Sequence, residues 1–453
     1  MSAPGAAKPC GKACTTSQID MRRLLRLGGR VTFGYKEGSM RKLLLLTAAA
    51  AVLVAQDRPI VLKTSTLFDG KGKTLHNTIV VVEGSNISRV GGTAPAGAIT
   101  YDLTALTVSP GWIDTHSHIA YHFDDRGRLA GSDEAPAQAL LHIADNAVLT
   151  LNAGFTTVQS PGSLIDKDVR EATARGIFPG PRVLTSLEAF TETSGDASKL
   201  RELVRERKQQ GADLIKIFAS KSIREGGDQT MTDEQLQAAC GEAKALGLRT
   251  IVHAHSASSA KAATLAGCTA IEHGAYITDE VFDLMAQHGT YYDPNIGLVL
   301  QNYLENKPKY FGIGNYNEEG FAFMEKGVAI VRDTFKKSLA HKNLKLIYGT
   351  DATAGAHGQN YREFIVRVRD GGQDPMAALV SATSLSAESM NMGDQIGSIA
   401  PGLQADIVAF DGNPLQDATA AGRAVFVMKG GKVYENLSRG SKNSPNHTPT
   451  GTR

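Results

Sequence analysis

Between Gly111 and Met390 the chain switches again and again from a short β-branched run to a longer run of helical period. The first strand-like run ends at His118. It is followed by "FTTVQS", "PRVLTS", "ADLIKIFAS", "LRTIVHAH", "CTAIEHG", "TYYDPN" and "LKLIYGTD". A helical pattern follows each run. The first spans Glu134 to Asn152 and stops at Gly154, and the seventh reads as one long stretch through Lys336. Thr232 and Gln235 make a capping-box start for the fourth helix, and Gly247 makes its stop. Strands alternating with helices imply a parallel sheet. Eight such units predict an α/β chain closed into a (β/α)8 TIM barrel over 111–394.

The flanks differ. Residues 59–110 and 395–436 alternate apolar and polar positions between Gly-rich turns, which predicts strands and hairpins at both ends. Together they are expected to form one small β-sandwich domain. The polar tail 437–453 and the Gly/Ala/Ser-rich segment 1–39 are expected to be disordered. Residues 40–55, "MRKLLLLTAAAAVLVA", place Arg41 and Lys42 before thirteen uncharged residues, too few to span a bilayer comfortably. Small residues end the run, with Ala51 or Ala55 as cleavage points. The segment resembles a secretory signal peptide, so the protein is expected to be exported (periplasmic or secreted), with no stable membrane insertion after processing. Without that processing it would be cytoplasmic.

A formal charge of +2, with no Lys/Arg-rich stripe, points away from nucleic acid and acidic partners. The four cysteines (Cys10, Cys14, Cys240 and Cys268) make no disulfide framework, and no second pair completes a zinc site with Cys10 and Cys14.

In a barrel, chemistry sits at the C-terminal ends of the strands. There the sequence places His116 and His118, Lys216, His253 and His255, His273, and Asp351, on five different strands. Residues two apart on a strand face the same way, so His116 and His118 can share a cation, and imidazole suits zinc. Lys216 lies in the apolar run "LIKIF". Burial lowers a lysine's pKa toward the neutral amine, which can add carbon dioxide to give a carbamate able to bridge two cations. Each group also has a blander reading. Single histidines are more often hydrogen-bonded core residues, a buried lysine is more often paired with a carboxylate, and Asp351 could cap the next helix. The convergence on one rim favours the metal. Glu272 is expected to point away, toward a helix. His122, in the loop after the first strand, is expected to line the pocket. His357 could touch substrate, and Arg224 and Tyr292 could meet a substrate carboxylate.

This set, with the phrases "VSPGWIDTHSH" and "GSIAPGLQADIVAFDGNPL", resembles the amidohydrolase superfamily from about Pro59 to Val433. Its nearest branch looks like the imidazolonepropionase-like proteins, which include Xaa-Pro dipeptidase-like and ochratoxinase-like enzymes. The resemblance implies a split β-sandwich around the barrel and two zinc ions bridged by a carboxylated lysine and a hydroxide. By position, His116 and His118 hold the more buried metal, Lys216 bridges, and His253 and His273 hold the second. Asp351 binds the first and acts as base. His253 is chosen over His255 because the branch separates these two ligands by about twenty residues. His255 then supports the ligands or contacts substrate, as does His357.

The expected activity is metal-dependent hydrolysis of an amide bond in a dipeptide or N-acyl amino acid, by a homo-oligomer. A lactam or imidazolone ring would be attacked by the same centre, and a non-catalytic scaffold is the remote alternative. Two stretches depart from relatives. "SLEAFTETSGDASKL" lacks a long Gly/His-rich loop, and "SKSIREGGDQTM" differs from the usual Gly-Gly form. Both should shape the pocket.

Overall fold

The computed structural model describes residues 58–131 and 133–437. The signal-like segment 40–55, Cys10, Cys14 and nearly all of the polar tail lie outside them. Four strands open the described chain: β1 (Ile60–Phe68), β2 (Thr74–Glu83), β3 (Asn86–Val90) and β4 (Ile99–Pro110). Three close it: β13 (Ile407–Phe410), β14 (Ala424–Lys429) and β15 (Lys432–Asn436). They form one sheet, ordered β15-β14-β13-β4-β1-β2-β3, in which β13 pairs antiparallel with β4 and so joins the two ends. The sheet curls. At its far edge Ile87 N donates to Leu403 O (2.8 Å) and Gly402 N to Ile87 O (2.8 Å), just upstream of β13. The curl encloses Leu62, Val80, Leu103, Ile407, Phe426 and Met428, all buried.

Between the ends, strands and helices alternate. β5 (Trp112–Asp114), α1 (Pro136–Asn152), β6 (Phe155–Ser160), α2 (Asp166–Ala174), β7 (Arg182–Thr185) and α3 (Ala197–Gln210) come first. Next are β8 (Leu214–Phe218), α4 (Asp233–Ala245), β9 (Arg249–Ser256), α5 (Ala257–Leu265), β10 (Ala270–Tyr276) and α6 (Asp279–His288). β11 (Tyr291–Asp293) is followed by α7 (Val299–Glu305), α8 (Lys307–Tyr310) and α9 (Glu318–Ser338), where the sequence predicts one long helix. Lys307 and Pro308 open a separate short turn there. β12 (Lys345–Leu346) then leads to α10 (Tyr361–Arg369). The α4 capping box forms as expected, with Thr232 Oγ1 accepting from Gln235 N and Gln235 Oε1 accepting from Thr232 N.

β5 to β7 and β8 to β12 make two parallel sheets. Backbone hydrogen bonds continue across both seams. Phe190 N donates to Lys216 O (2.9 Å) and Phe218 N to Phe190 O (2.8 Å). On the other side Thr115 N donates to Tyr348 O (2.8 Å) and His118 N to Ala352 O (2.7 Å).

The period-two alternation decides what each face holds. Ile215, Ile217, Val252, Ala254 and Ile271 pack outward against helix residues such as Leu236, Ala239, Ala263 and Phe282. The opposite positions Ile113, Leu214, Ile251, Ala270, Tyr291 and Ile347 pack together as a separate apolar layer. Two residues further along the same strands, on the same face, lie Thr115, Lys216, His253, Glu272, Asp293 and Gly349. A polar layer therefore sits directly on an apolar plug. Gly349 has no room for a side chain, since a Cβ there would lie 2.1 Å from Asp293 Oδ2.

One expectation is overturned. Cys240 of α4 and Cys268, just before β10, form a buried disulfide with a Cα–Cα distance of 5.1 Å. Residues 28 apart in sequence are brought together by the β9–α5 crossover. Among the described residues no helix is long and apolar enough to cross a membrane.

Candidate metal centre

β5 ends two residues before the first histidine. The Asp114 carboxylate accepts from His116 N (3.1 Å) and Thr350 N (3.0 Å), which bends the chain as it leaves the strand and ties it to the segment carrying Asp351. Thr350 Oγ1 and Asn360 Nδ2 also donate to Asp114 (2.6 Å each). The two imidazoles then converge on one oxygen: Asp351 Oδ1 lies 3.0 Å from His118 Nε2 and 3.6 Å from His116 Nε2. Lys216 Nζ is 3.4 Å from His116 Nε2. One ligand atom each from His116, His118 and Asp351 falls within 4.8 Å of the others. The remaining imidazoles complete the cluster, with ring centroids 4.7 Å apart for His253–His273, 4.6 Å for His253–His255 and 5.2 Å for His116–His273. Lys216 and all six other side chains expected at this rim stand together.

Alternation does not account for His273. Glu272, not His273, occupies the inward position of β10, so the expectation that Glu272 faces a helix is wrong. Its Oε2 lies 2.8 Å from His116 Nδ1, with both side chains buried. His273 reaches the same space because its backbone is left-handed (φ 66°), as is that of Asp351 (φ 51°). For residues other than glycine such backbone costs on the order of 1–3 kcal/mol and persists only where the surroundings impose it. Here they do. Tyr292 Oη donates to His273 O (3.1 Å), and Asp351 N donates to His116 O (2.7 Å). Gly274 continues the turn at φ 58°, where a Cβ would lie 2.8 Å from Tyr292 Cε2.

Tyr292 is thus a prop rather than a substrate contact: it is fully buried and its hydroxyl is engaged with backbone. His357 is likewise corrected. It is buried behind His118 and does not line the cavity into which the cluster opens, with Nε2 3.1 Å from Tyr121 O, and burial lowers its pKa to about 4. It braces the loop whose Tyr121 ring stacks on His118 at 4.9 Å.

Burial holds the imidazoles of His116, His253 and His273 well below their usual pKa, and that of His255 at about 3. Burial also lowers Lys216, against the pull of Glu272 and Asp351. For Asp351 burial acts upward, but His116, His118 and Lys216 outweigh it and keep the carboxyl below its ordinary value. Burial thus disfavours the protonated forms of these four imidazoles and of the Lys216 amine beside one carboxylate, a donor set suited to zinc. The Glu272 contact fits the same reading. A carboxylate on one ring nitrogen of a histidine leaves the other free and oriented for a metal.

The cluster opens into a cavity of about 690 Å³. His122 lines it, as expected, with its Nε2 2.6 Å from Glu134 Oε2 and its ring stacked on His142. Arg224 also lines it. Its guanidinium carbon sits 4.2 Å from the Tyr316 ring centre and 5.5 Å from that of Tyr303, while Nε donates to Asn315 Oδ1 (2.7 Å). These aromatic partners were not singled out in the sequence. They come from the α7–α9 segment, far from Arg224 along the chain.

The model of the amidohydrolase family matches residues 107–435. Ochratoxinase of Aspergillus niger is 25% identical over 436 residues, covering 82% of this chain and 85% of that protein. Imidazolonepropionase of Rhodococcus jostii is 22% identical, covering 78% of this chain and 86% of that one. A crystal structure of a Xaa-Pro dipeptidase with methionine in its active site superposes with a TM-score of 0.76 at 28% identity, over 83% of this chain and all of that one. The matched span carries every residue of the cluster, and on that ground the chain belongs to the amidohydrolase family, hydrolases of amide carbon–nitrogen bonds.

Proposed function

We propose that this protein is a zinc-dependent amidohydrolase that cleaves the amide bond of a small substrate ending in a carboxylate, such as a dipeptide or N-acyl amino acid. We read its two parallel sheets as one (β/α)8 barrel closed at the seams, with the site at the C-terminal mouth. The observation that carries the reading is the polar layer on the apolar plug: five strands and two left-handed turns spend their geometry to gather five imidazoles, an amine and a carboxylate.

In this reading His116, His118 and Asp351 would hold one zinc ion and His253 and His273 the other, with Lys216, carboxylated on its amine by carbon dioxide, as a further ligand. Bound zinc supplies Lewis acidity, which acidifies the attacking water and polarises the substrate carbonyl. Asp351 accepts the proton of that water and passes it to the departing nitrogen. His255, which lines the cavity beside His253, would donate to the oxygen on which negative charge develops. Arg224, held by Tyr316 and Asn315, takes the substrate carboxylate. The apolar wall of Val299, Leu300 and Val331 takes the neighbouring side chain. The Xaa-Pro dipeptidase relative, named for a peptide substrate, supports this choice. The buried disulfide supports an oxidising compartment, in line with export.

The test is zinc content by elemental analysis together with a hydrolysis screen of dipeptides and N-acyl amino acids. Wild type should hold zinc and cleave members of the panel, and Lys216→Ala should lose both. Retention of both by Lys216→Ala would reject its bridging role. Comparing His253→Ala with His255→Ala separates ligand from helper, since only the ligand's loss should empty a zinc position.

A further inference from the structure

Away from the metal cluster, a second cavity of about 500 Å³ lies where α2 and the start of β7 meet β14 and β15. Arg170, Arg175, Arg182, Lys429 and Lys432 line it, and no carboxylate does. Two of the five cations are matched elsewhere: Arg170 by Asp213 and Arg182 by Asp406, at 2.6 and 2.7 Å. The other three are not. Lys429 donates to Gly180 O and lies 5.5 Å from the centre of the Tyr434 ring. Lys432 is 5.0 Å from the centre of the same ring and makes no ion pair among the described residues. The side chain of Arg175, an exposed residue, has neither hydrogen bond nor ion pair among them. Burial, with Arg182 adding to it, lowers Lys429 to about 8 against the pull of Asp406. Positive charge is therefore concentrated in a concave place with no carboxylate on its lining.

We propose that this pocket binds a phosphate-bearing anion of charge −2 or more, held by Arg175, Lys429 and Lys432. A single carboxylate would leave two of the three cations unmatched. A phosphate group presents several acceptor oxygens and matches the charge more closely, and guanidinium and ammonium groups are its usual partners. Tyr434, flanked by both lysines, offers a flat surface to whatever carries the phosphate. The pocket touches none of the cluster residues, so occupancy is independent of hydrolysis.

The probe is pyrophosphate, titrated at constant ionic strength, with thermal unfolding as readout. Because an oxyanion could also bind zinc, the same titration is run on His118→Ala. We expect a saturable rise in Tm, on the order of 3 °C at a hundredfold excess over Kd. The rise should be retained in His118→Ala and lost in Arg175→Ala/Lys432→Ala, which should keep wild-type hydrolysis. A parallel arm measures co-sedimentation with phosphatidylglycerol vesicles against phosphatidylcholine. Binding to the anionic vesicles alone, lost in the double variant and without a pyrophosphate shift, assigns the phosphate to a lipid headgroup. A shift that survives in the double variant, that equimolar charge as KCl reproduces, or that vanishes with His118→Ala would overturn the proposal. So would the absence of both the shift and vesicle binding.

Discussion

Glu272 Oε2 lies 2.8 Å from His116 Nδ1, although their strands, β10 and β5, are not neighbours in either sheet. Burial raises the Glu272 carboxyl to about 8, against the pull of Lys216, so the site holds this group at a cost. Its purpose is geometric: it fixes which nitrogen of His116 faces Asp351. Replacing Glu272 by Ala should lower zinc affinity or kcat by about 10- to 100-fold, the usual effect of losing such a partner. Glu272→Gln, which keeps an oxygen beside that nitrogen, should retain more of both. Competition with a chelator and steady-state kinetics on the two variants decide it.

That residue also marks how far the sequence could be read. The strand–helix alternation was legible because its two periods differ, and the reactive groups were legible because they fall at the ends of the runs. Parity was legible until the backbone left the strand region. At His273 the left-handed turn brings two adjacent side chains to one side, and strict alternation misassigns Glu272. Tyr292 and His357 were misread for a related reason. Both lie next to the correct segments, but whether their polar atoms meet substrate or backbone is decided by tertiary contacts. The aromatic cradle of Arg224 and the Cys240–Cys268 pair depend on distances that sequence separation does not report.

Arg224 is held before substrate arrives. The Tyr316 ring and Asn315 fix its guanidinium, so little rotamer freedom remains to be lost on binding. Arg224→Met should raise KM for an N-acyl amino acid by about 10- to 100-fold, the equivalent of a charge-assisted hydrogen bond of about 1.5–3 kcal/mol. The matching carboxamide substrate should respond far less. Equal losses on both substrates would mean that Arg224 shapes the cavity without meeting a carboxylate.

The disulfide closes a loop of 28 residues across the α4–β9–α5 crossover. By loop-closure entropy alone it contributes about 3.6 kcal/mol. Both sulfurs are buried, so the Cys240→Ala/Cys268→Ala variant loses some packing as well. Unfolding in urea, with and without reductant, should show a lower midpoint for reduced wild type and for the variant. The variant alone should be insensitive to reductant.

Beneath the cluster, Arg367 is the only cation within ion-pair distance of two buried carboxylates among the described residues: Nε donates to Glu363 Oε1 (2.7 Å), and Nη2 lies 3.5 Å from Asp293 Oδ1. The same carboxylates bind backbone, with Ile296 N donating to Glu363 (3.0 Å) and Gly349 N to Asp293 (2.7 Å). The network therefore ties α10 to the two strand ends that precede Asn295 and Asp351. Arg367→Met would leave both acids without a cation in a dry interior. That should cost about 3–5 kcal/mol, read as a lower urea midpoint at unchanged slope. Much of this loss is the penalty of stranded charge rather than the worth of the ion pairs. Adding Glu363→Gln and Asp293→Asn to Arg367→Met removes the charge; the amides still accept from Gly349 N and from one of the two N–H groups, Ile296 and Gly297, that donate to Glu363. The triple variant should therefore be more stable than Arg367→Met alone. If it is less stable, the network acts through its ionic contacts themselves, and the acids would have to be paired for the strands to hold their places.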